Sequence, residues 1–244
     1  MTKLYEASNH ILIHTGYDNP VMHSHMAAHI IISMGDQMRV IANGAEYKCY
    51  GVTVPSGVSH MVDTYGKAAL VFLYDCTTDI ASQIQSTRCL SEESCWKIAA
   101  FYADFEQECT TENYDRFEKN VLTQLGFTGT TPCVTAERII SAMKYIRSMF
   151  SEKLSCQEVA DIANLSQSRF SHLFKKQVGM TFAAYVIYQR ILHVYSQAIH
   201  GKAITMAALE AGFSSSAHFA DVNRRLFGLP ASAITHDLIF TKVQ

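Results

Sequence analysis

The chain has 244 residues, 48% of them apolar and 17% charged, with 4 Pro and 12 Gly. This composition excludes a disordered chain, a collagen-like repeat and a disulfide-stapled miniprotein, and it supplies apolar side chains for two ordinary cores. The net charge of −2 hides a polarity: residues 1–132 carry 8 Lys and Arg against 15 Asp and Glu, whereas residues 133–244 carry 12 against 7. A basic C-terminal half beside an acidic N-terminal one points to a polyanionic partner for the former and a different task for the latter. The 7 cysteines are odd in number and none has CxxC spacing, which argues against a zinc ribbon or thioredoxin motif and fits a reducing compartment. MTKLYEASNHILIHTG lacks a long apolar run and a small-residue cleavage site, and no membrane-length apolar stretch follows. A cytoplasmic protein with no membrane partner is expected.

In chain order, residues 10–75 read as strands. His10–Thr15 alternates, Ile30–Met34 is β-branched, and Met38–Ala42 and Ala45–Cys49 flank Asn43-Gly44. Both turn positions of such a hairpin need positive φ, which Asn and Gly tolerate. Val52–Pro55, Ser59–Thr64 and Ala68–Tyr74 continue at short spacing, as in a small barrel or double-sheet jelly roll. Glu93–Glu108 and Tyr114–Leu125 then read as two amphipathic helices, the first facing inward with Trp96, Ala99, Ala100 and Ala103, the second with Phe117, Val121 and Leu125. They either cover the strands or mediate a subunit contact. Gly126–Cys133, rich in Gly, Thr and Pro, reads as a linker.

Residues 134–240 read as helical. A helix over Thr135–Phe150 aligns Ile139, Met143, Ile146 and Phe150. Ser155-Cys-Gln-Glu158 is a capping box that opens a helix bearing Val159, Ile162 and Ala163, stopped at Asn164-Leu165. Ser166 caps the next helix, with Phe170, Leu173 and Phe174 inward. The pair makes a helix-turn-helix unit. About 49 residues on the pattern returns: Ala207, Ala208, Ala211, Gly212-Phe213, a cap at Ser214 or Ser215, then Phe219, Val222 and Phe227, with Gly228 in the place of Gly179. Phe182–Ile199 connects the units as one long helix.

Residues 154–190 and 204–232 closely resemble the two helix-turn-helix units of the AraC/XylS family of bacterial transcription regulators. The resemblance implies two recognition helices entering successive major-groove segments of double-stranded DNA, and more often activation, with RNA polymerase as partner, than repression. Matched position to position, Ser168, Ser171 and His172 fall where the first recognition helix touches base edges, and Ser216, Ala217, His218 and Asp221 on the corresponding face of the second. Arg169, Lys175, Lys176, Arg224 and Arg225 suit phosphates, since flexible cations supply affinity without sequence information. Two departures stand out: Asn223-Arg224 replaces the usual Phe-Lys, and Asp221 is acidic. Asn223 is expected at the edge of the buried face, loosening the second unit, so the first unit is expected to dominate specificity.

The strand-rich half resembles a cupin-type jelly roll, a common sensor domain of that family. His23-Ser-His25, His29 and a later Pro55-Ser-Gly57-Val-Ser-His60 resemble the cupin metal pattern, with His29 in the usual acidic place. On an unbroken strand 23, 25 and 29 share a face. Imidazoles suit Zn, Ni, Cu or Fe; a small organic effector or a ligand-free dimerisation role are the alternatives for this half. His10 and His14 read as ordinary polar positions. The expected fold is multidomain α+β: a cupin-like jelly roll over 1–90 with flanking helices over 91–132, then an all-α DNA-binding domain over 133–244. The expected function is a ligand- or metal-controlled, homodimeric transcriptional regulator. The rival is a metal-dependent cupin enzyme, an oxygenase or isomerase, with an accessory helical domain.

Overall fold

A computed structural model describes residues 2–7, 9–16, 21–24, 27–128, 136–227 and 238–243. The N-terminal half is built from β1 (Thr2–Glu6), β2 (His10–Gly16), β3 (Ala28–Ser33), β4 (Met38–Ala42), β5 (Ala45–Cys49), β6 (Gly51–Val54), β7 (His60–Asp63) and β8 (Ala68–Tyr74). A short α1 (Asp79–Gln83) and β9 (Arg88–Cys89) lead into α2 (Glu92–Gln107) and α3 (Thr111–Gln124). The C-terminal half holds α4 (Glu137–Met149), α5 (Cys156–Ile162), α6 (Gln167–Val178), α7 (Phe182–Ile199), α8 (Ile204–Glu210) and α9 (Ser216–Phe227), followed by β10 (Leu238–Lys242). The expected two-part α+β architecture is present.

Seven strands pair in the order β10-β1-β2-β8-β3-β6-β9, and three in the order β5-β4-β7. The Asn43-Gly44 hairpin forms as expected, with φ of 50° and 76° and Ala42 opposite Ala45. Strand β3 is buried along its whole length because the larger sheet is covered on both faces. Ile30, Ile32, Phe72 and Tyr74 pack with Ile98, Tyr102, Phe105 and Phe117 of α2 and α3. The alternate residues Ile31, Val71 and Leu73 share a cluster with Val40 and Val62 of the smaller sheet. That second cluster continues into the helical half without a break.

Three expectations need correction. Helix α2 buries Cys95, Ile98, Tyr102 and Phe105, whereas Trp96 is 52% exposed and Ala100 and Ala103 face solvent. The larger rings of Tyr102 and Phe105 claim the sheet, since they remove more apolar area from water than three alanines can. On α5, Ile162 is exposed and Ala160 takes the inward place. Strands β1 and β10 were not anticipated: β10 lies parallel to β1, Thr2 opposite Leu238 through Glu6 opposite Lys242. The start of the Thr135 helix, most of the expected linker (129–133), the Phe227 side chain, Gly228 and Pro230 lie outside the described residues.

The helical half follows its capping signals. Ser155 and Glu158 form the capping box, and Tyr145 donates to Glu158 Oε1 at 2.6 Å. Asn164, at φ 52°, turns the chain into α6, which Ser166 caps. In the second unit Gly212 (φ 83°) takes the place of Asn164, and Ser215 caps α9 by accepting from the His218 amide at 3.0 Å. The second turn is thus one residue longer, the extra residue being Ser214. A β-carbon at Gly212 would stand 2.1 Å from the Ser151 carbonyl oxygen, whereas one at Gly44 would meet nothing within 4 Å. Gly212→Ala is therefore expected to cost well over ~2 kcal/mol and Gly44→Ala only about 1 kcal/mol, the left-handed strain alone. Urea unfolding of the two variants checks the contrast; equal losses would refute the close-approach argument.

Candidate nucleic-acid interface

The two second helices of the repeat present their expected residues outward. On α6, Phe170, Phe174 and Val178 are buried, while Ser168, Arg169, Ser171, His172, Lys175 and Lys176 are all exposed. The helix contains no Asp or Glu, so its outer surface is uniformly cationic. Lys175 and Lys176 also stand at its C-terminal turn, where the helix dipole favours positive charge.

Helix α9 differs. Ser216, Ala217, Asp221, Arg224 and Arg225 are exposed, but Asp221 is ion-paired with Arg225 one turn on. That pairing holds the Asp221 carboxyl below its ordinary range. His218 is only partly exposed. Its ring packs edge-on against Phe213 at 5.5 Å and its Nδ1 lies 3.0 Å from the Ser214 hydroxyl, so the extra turn residue occupies it. Asn223 is not at the edge of the buried face. It is fully buried, and the Tyr195 hydroxyl of α7 donates to its Oδ1 at 2.5 Å. A satisfied polar pair replaces the apolar contact made by Phe174 in the first unit, and the expected loosening does not occur there.

Helix α7 fixes both units. Phe174 meets Tyr185 edge-on at 5.5 Å, and Tyr195 reaches α9. Arg190 donates from Nε to the Phe150 carbonyl at 2.7 Å, from Nη2 to Glu152 at 2.9 Å and from Nη1 to Gly212 at 3.0 Å. One guanidinium thereby ties the end of α4 to the turn of the second unit. Sequence reading passed over Arg190, Tyr188 and Tyr195, although each is a polar interruption of an apolar eighteen-residue helix.

The same helix meets the strand-rich half. The Tyr188 hydroxyl lies 2.5 Å from the Ala7 carbonyl oxygen and 2.7 Å from that of His10, sharing its proton between them. A cavity of about 30 Å³, room for roughly one water, is left at this seam beside His10, Leu73, Met180 and Ile191. His10 is not an ordinary surface position. It is buried, its Nε2 lies 2.7 Å from the Tyr114 hydroxyl, and its Nδ1 lies 3.0 Å from Asn9 Oδ1 and 3.4 Å from Glu118 Oε1. Burial pushes its pKa down to about 3.

The expected histidine group is partly assembled. His23 and His60 exchange backbone hydrogen bonds of 2.9 and 2.8 Å, their rings lie 4.5 Å apart, and the His29 ring is 5.0 Å from that of His60. His23 Nδ1 donates to the Val21 carbonyl at 2.7 Å and His60 Nδ1 to Val58 at 2.8 Å, which assigns their tautomers. The unbroken strand expected over 23–29 is absent: β3 begins at Ala28 and His23 sits in an isolated bridge. Among the described residues no group of three or more His, Cys, Asp or Glu is arranged to hold a metal ion. His25 lies outside the described residues.

Residues 159–236 match the family described as "Helix-turn-helix domain". The probable transcriptional regulator LumQ of Photobacterium leiognathi is 38% identical over 87 residues, covering 35% of each chain. The regulatory protein PocR of Salmonella typhimurium is 33% identical over 93 residues, 38% of this chain and 31% of PocR. The matches thus span about a third of each relative, 35% and 31%. Unsaturated fatty acid bound ToxT from Vibrio cholerae strain SCE256 shares the fold, with a TM-score of 0.52 at 10% identity over 94% of this chain and 95% of that one. The two sequence relatives are named as regulators, so the metal-enzyme reading of the histidines finds no support in them.

Acid should weaken this structure. Burial also pulls His60 down to about 4, so between pH 6.5 and about 4 the unfolded chain binds protons at both histidines while the folded chain does not. Stability from both is fully present above pH 6.5 and declines by up to about 1.4 kcal/mol per pH unit per histidine as the pH falls. Urea midpoints at pH 7 and pH 5 test this, and an unchanged midpoint would refute it.

Proposed function

We propose that this chain, whose residues 159–236 match a helix-turn-helix domain, is a sequence-specific DNA-binding regulator of transcription of the AraC type with its control input in the strand-rich half. The observation that carries this reading is α6: an exposed, acid-free cationic helix in a tandem repeat, with small polar side chains and an imidazole between its cations. Ser168, Ser171 and His172 read base edges, while Arg169, Lys175 and Lys176 hold phosphates. On α9, Ser216, Ala217 and Asp221 face the bases and Arg224 and Arg225 the backbone, with His218 serving the turn first. The two facing sheets are read as a cupin-like jelly roll. The remaining expectations are a cytoplasmic location, activation through RNA polymerase and a homodimer. The exposed α2 face with Trp96, Ala100 and Ala103 supports the last of these.

With the full chain and its promoter DNA, His172→Ala is expected to weaken binding by about 1–3 kcal/mol and relax specificity. Lys175→Gln/Lys176→Gln weakens all sequences alike and flattens the salt dependence, which in the parent chain spans orders of magnitude between about 50 and 200 mM. Asp221→Ala releases Arg225 and costs less than His172→Ala. Equal affinity for promoter and scrambled DNA would overturn the reading.

The control input is a small effector. The fatty-acid-bound form of ToxT supports an organic ligand in this fold. The metal alternative requires His25 to join His23, His29 and His60, because the described histidines do not suffice. It predicts stoichiometric divalent Zn, Ni, Cu or Fe in purified protein, lost in His23→Ala/His25→Ala. Full retention of the ion in that variant would exclude it.

A further inference from the structure

The turn that follows β8 reaches the first recognition helix. Strand β8 lies inside the larger sheet, between β2 and β3, and residues 75–78 carry the chain from it into α1. Their hydrogen bonds fix the corner. Asp75 Oδ1 accepts from the Thr77 amide at 2.8 Å and from the Thr77 hydroxyl at 2.6 Å, while the Thr78 hydroxyl caps α1 by accepting from the Ala81 amide at 3.2 Å. The Thr77 hydroxyl oxygen also accepts from the Thr181 amide, in the turn between α6 and α7, at 3.2 Å. Held there, the corner closes one side of a groove of about 610 Å³. Asp79 of α1 lines it together with Ser171, His172, Lys175 and Lys176 of α6 and the start of α7. Asp79 is exposed in the first turn of α1 and is the one carboxylate among the described residues of that lining.

We propose that the α1 corner of the strand-rich half restrains DNA binding by α6, with the Asp79 carboxylate opposing phosphates at the groove; this rests on the reading of α6 as a DNA-contacting helix. Four of the six α6 residues read as DNA contacts open onto that groove. A groove of this volume is on the order of one Debye length, about 8–10 Å, across, so a phosphate drawn to Lys175 or Lys176 meets the field of Asp79 before salt has screened it. The same carboxylate offsets part of the lysines' own charge. Because the corner continues β8 and is tied to the α6–α7 turn through Thr77, it cannot leave the groove without disturbing either the sheet or the seam. An effector that favours an arrangement with the corner withdrawn therefore raises DNA affinity without touching a recognition residue.

The experiment measures binding of the full chain to a fluorescent mixed-sequence DNA duplex by anisotropy, at about 50 and 200 mM salt. Asp79→Asn is expected to bind about two- to fivefold more tightly than the parent chain at the lower salt, with most of the gain lost at the higher. Asp79→Lys gains more. Asp104→Asn, which removes the same charge from an exposed position on α2, gains nothing. A role confined to the first turn of α1 would move the urea midpoint of Asp79→Asn and leave these affinities alone. Lys175→Gln/Lys176→Gln on the same duplex tests the underlying reading separately: unchanged affinity there refutes α6 as a DNA-contacting helix. If the lysine variant loses affinity while Asp79→Asn binds no more tightly than the parent, the restraint alone is overturned. An equal gain in Asp104→Asn overturns it too, since net charge and not the corner would then be the cause.

Discussion

The structure depends on four polar side chains of one helix, α7, each with its own partner. Over its eighteen residues α7 is apolar enough to be buried on most sides, and burial obliges every polar group on it to find a partner. Tyr185 accepts from Arg147 Nε at 3.0 Å, Tyr188 serves the strand-rich half, Arg190 the loop after α4 and the second turn, and Tyr195 serves α9. At 1.5 Å per residue these contacts are spread along about 15 Å of axis. A position in sequence thereby becomes a position in space, and the separation of the two helix-turn-helix units follows from the length of the helix that joins them.

Besides the apolar cluster that spans both halves and the Thr181 amide's bond to the Thr77 hydroxyl at 3.2 Å, two sets of contacts join them. One is the Tyr188 hydroxyl against the turn between β1 and β2. The other is main chain: β10 adds beside β1, the Val243 amide donates to Glu6 at 2.9 Å, and the Lys242 ammonium lies 3.5 Å from the Glu6 carboxylate. Strand pairing with five residues in register fixes position and direction far more narrowly than apolar contact alone. On the proposed function, an effector bound in the strand-rich half acts on the helical half only through its different affinity for arrangements of this seam. The cavity there is only about 30 Å³, so small displacements are taken up mainly by repacking rather than by compression.

What was legible in the sequence were features whose cause is local. Asn43-Gly44 names its turn because both positions need positive φ, and Ser155 with Glu158 names a helix start because two side chains satisfy two end amides. The repeat showed itself because each unit solves the same local problem. Choices that depend on competition across the fold stayed hidden. Trp96 and Tyr102 are equally plausible inward residues until the width of the sheet beneath α2 is known, and Asn223 looks like a poor core residue until Tyr195 is seen opposite it. Strand β10 has no signature at all before β1 is placed beside it, since a five-residue edge strand takes its identity from its partner. For the candidate site, exposure of the α6 residues could be read from their spacing around Phe170 and Phe174, but the diversion of His218 could not, because it comes from one inserted serine.

That insertion, with the Asp221–Arg225 pair, breaks the symmetry of the repeat. Duplication supplies two equivalent helices, yet α6 keeps three cations and no acid, whereas one of the two arginines of α9 is engaged by a carboxylate on the same face. An internally paired arginine must give up its partner to take a phosphate, so its contribution to backbone affinity is reduced by whatever that exchange costs. The carboxylate itself is repelled by phosphates and tolerated only near a base-edge donor such as a cytosine amino group. On the proposed reading the first unit supplies affinity with readout, and the second a narrower test of sequence. Arg190, holding the loop after α4 and the turn of the second unit through three carbonyls, fixes the second unit against the rest of the helical half.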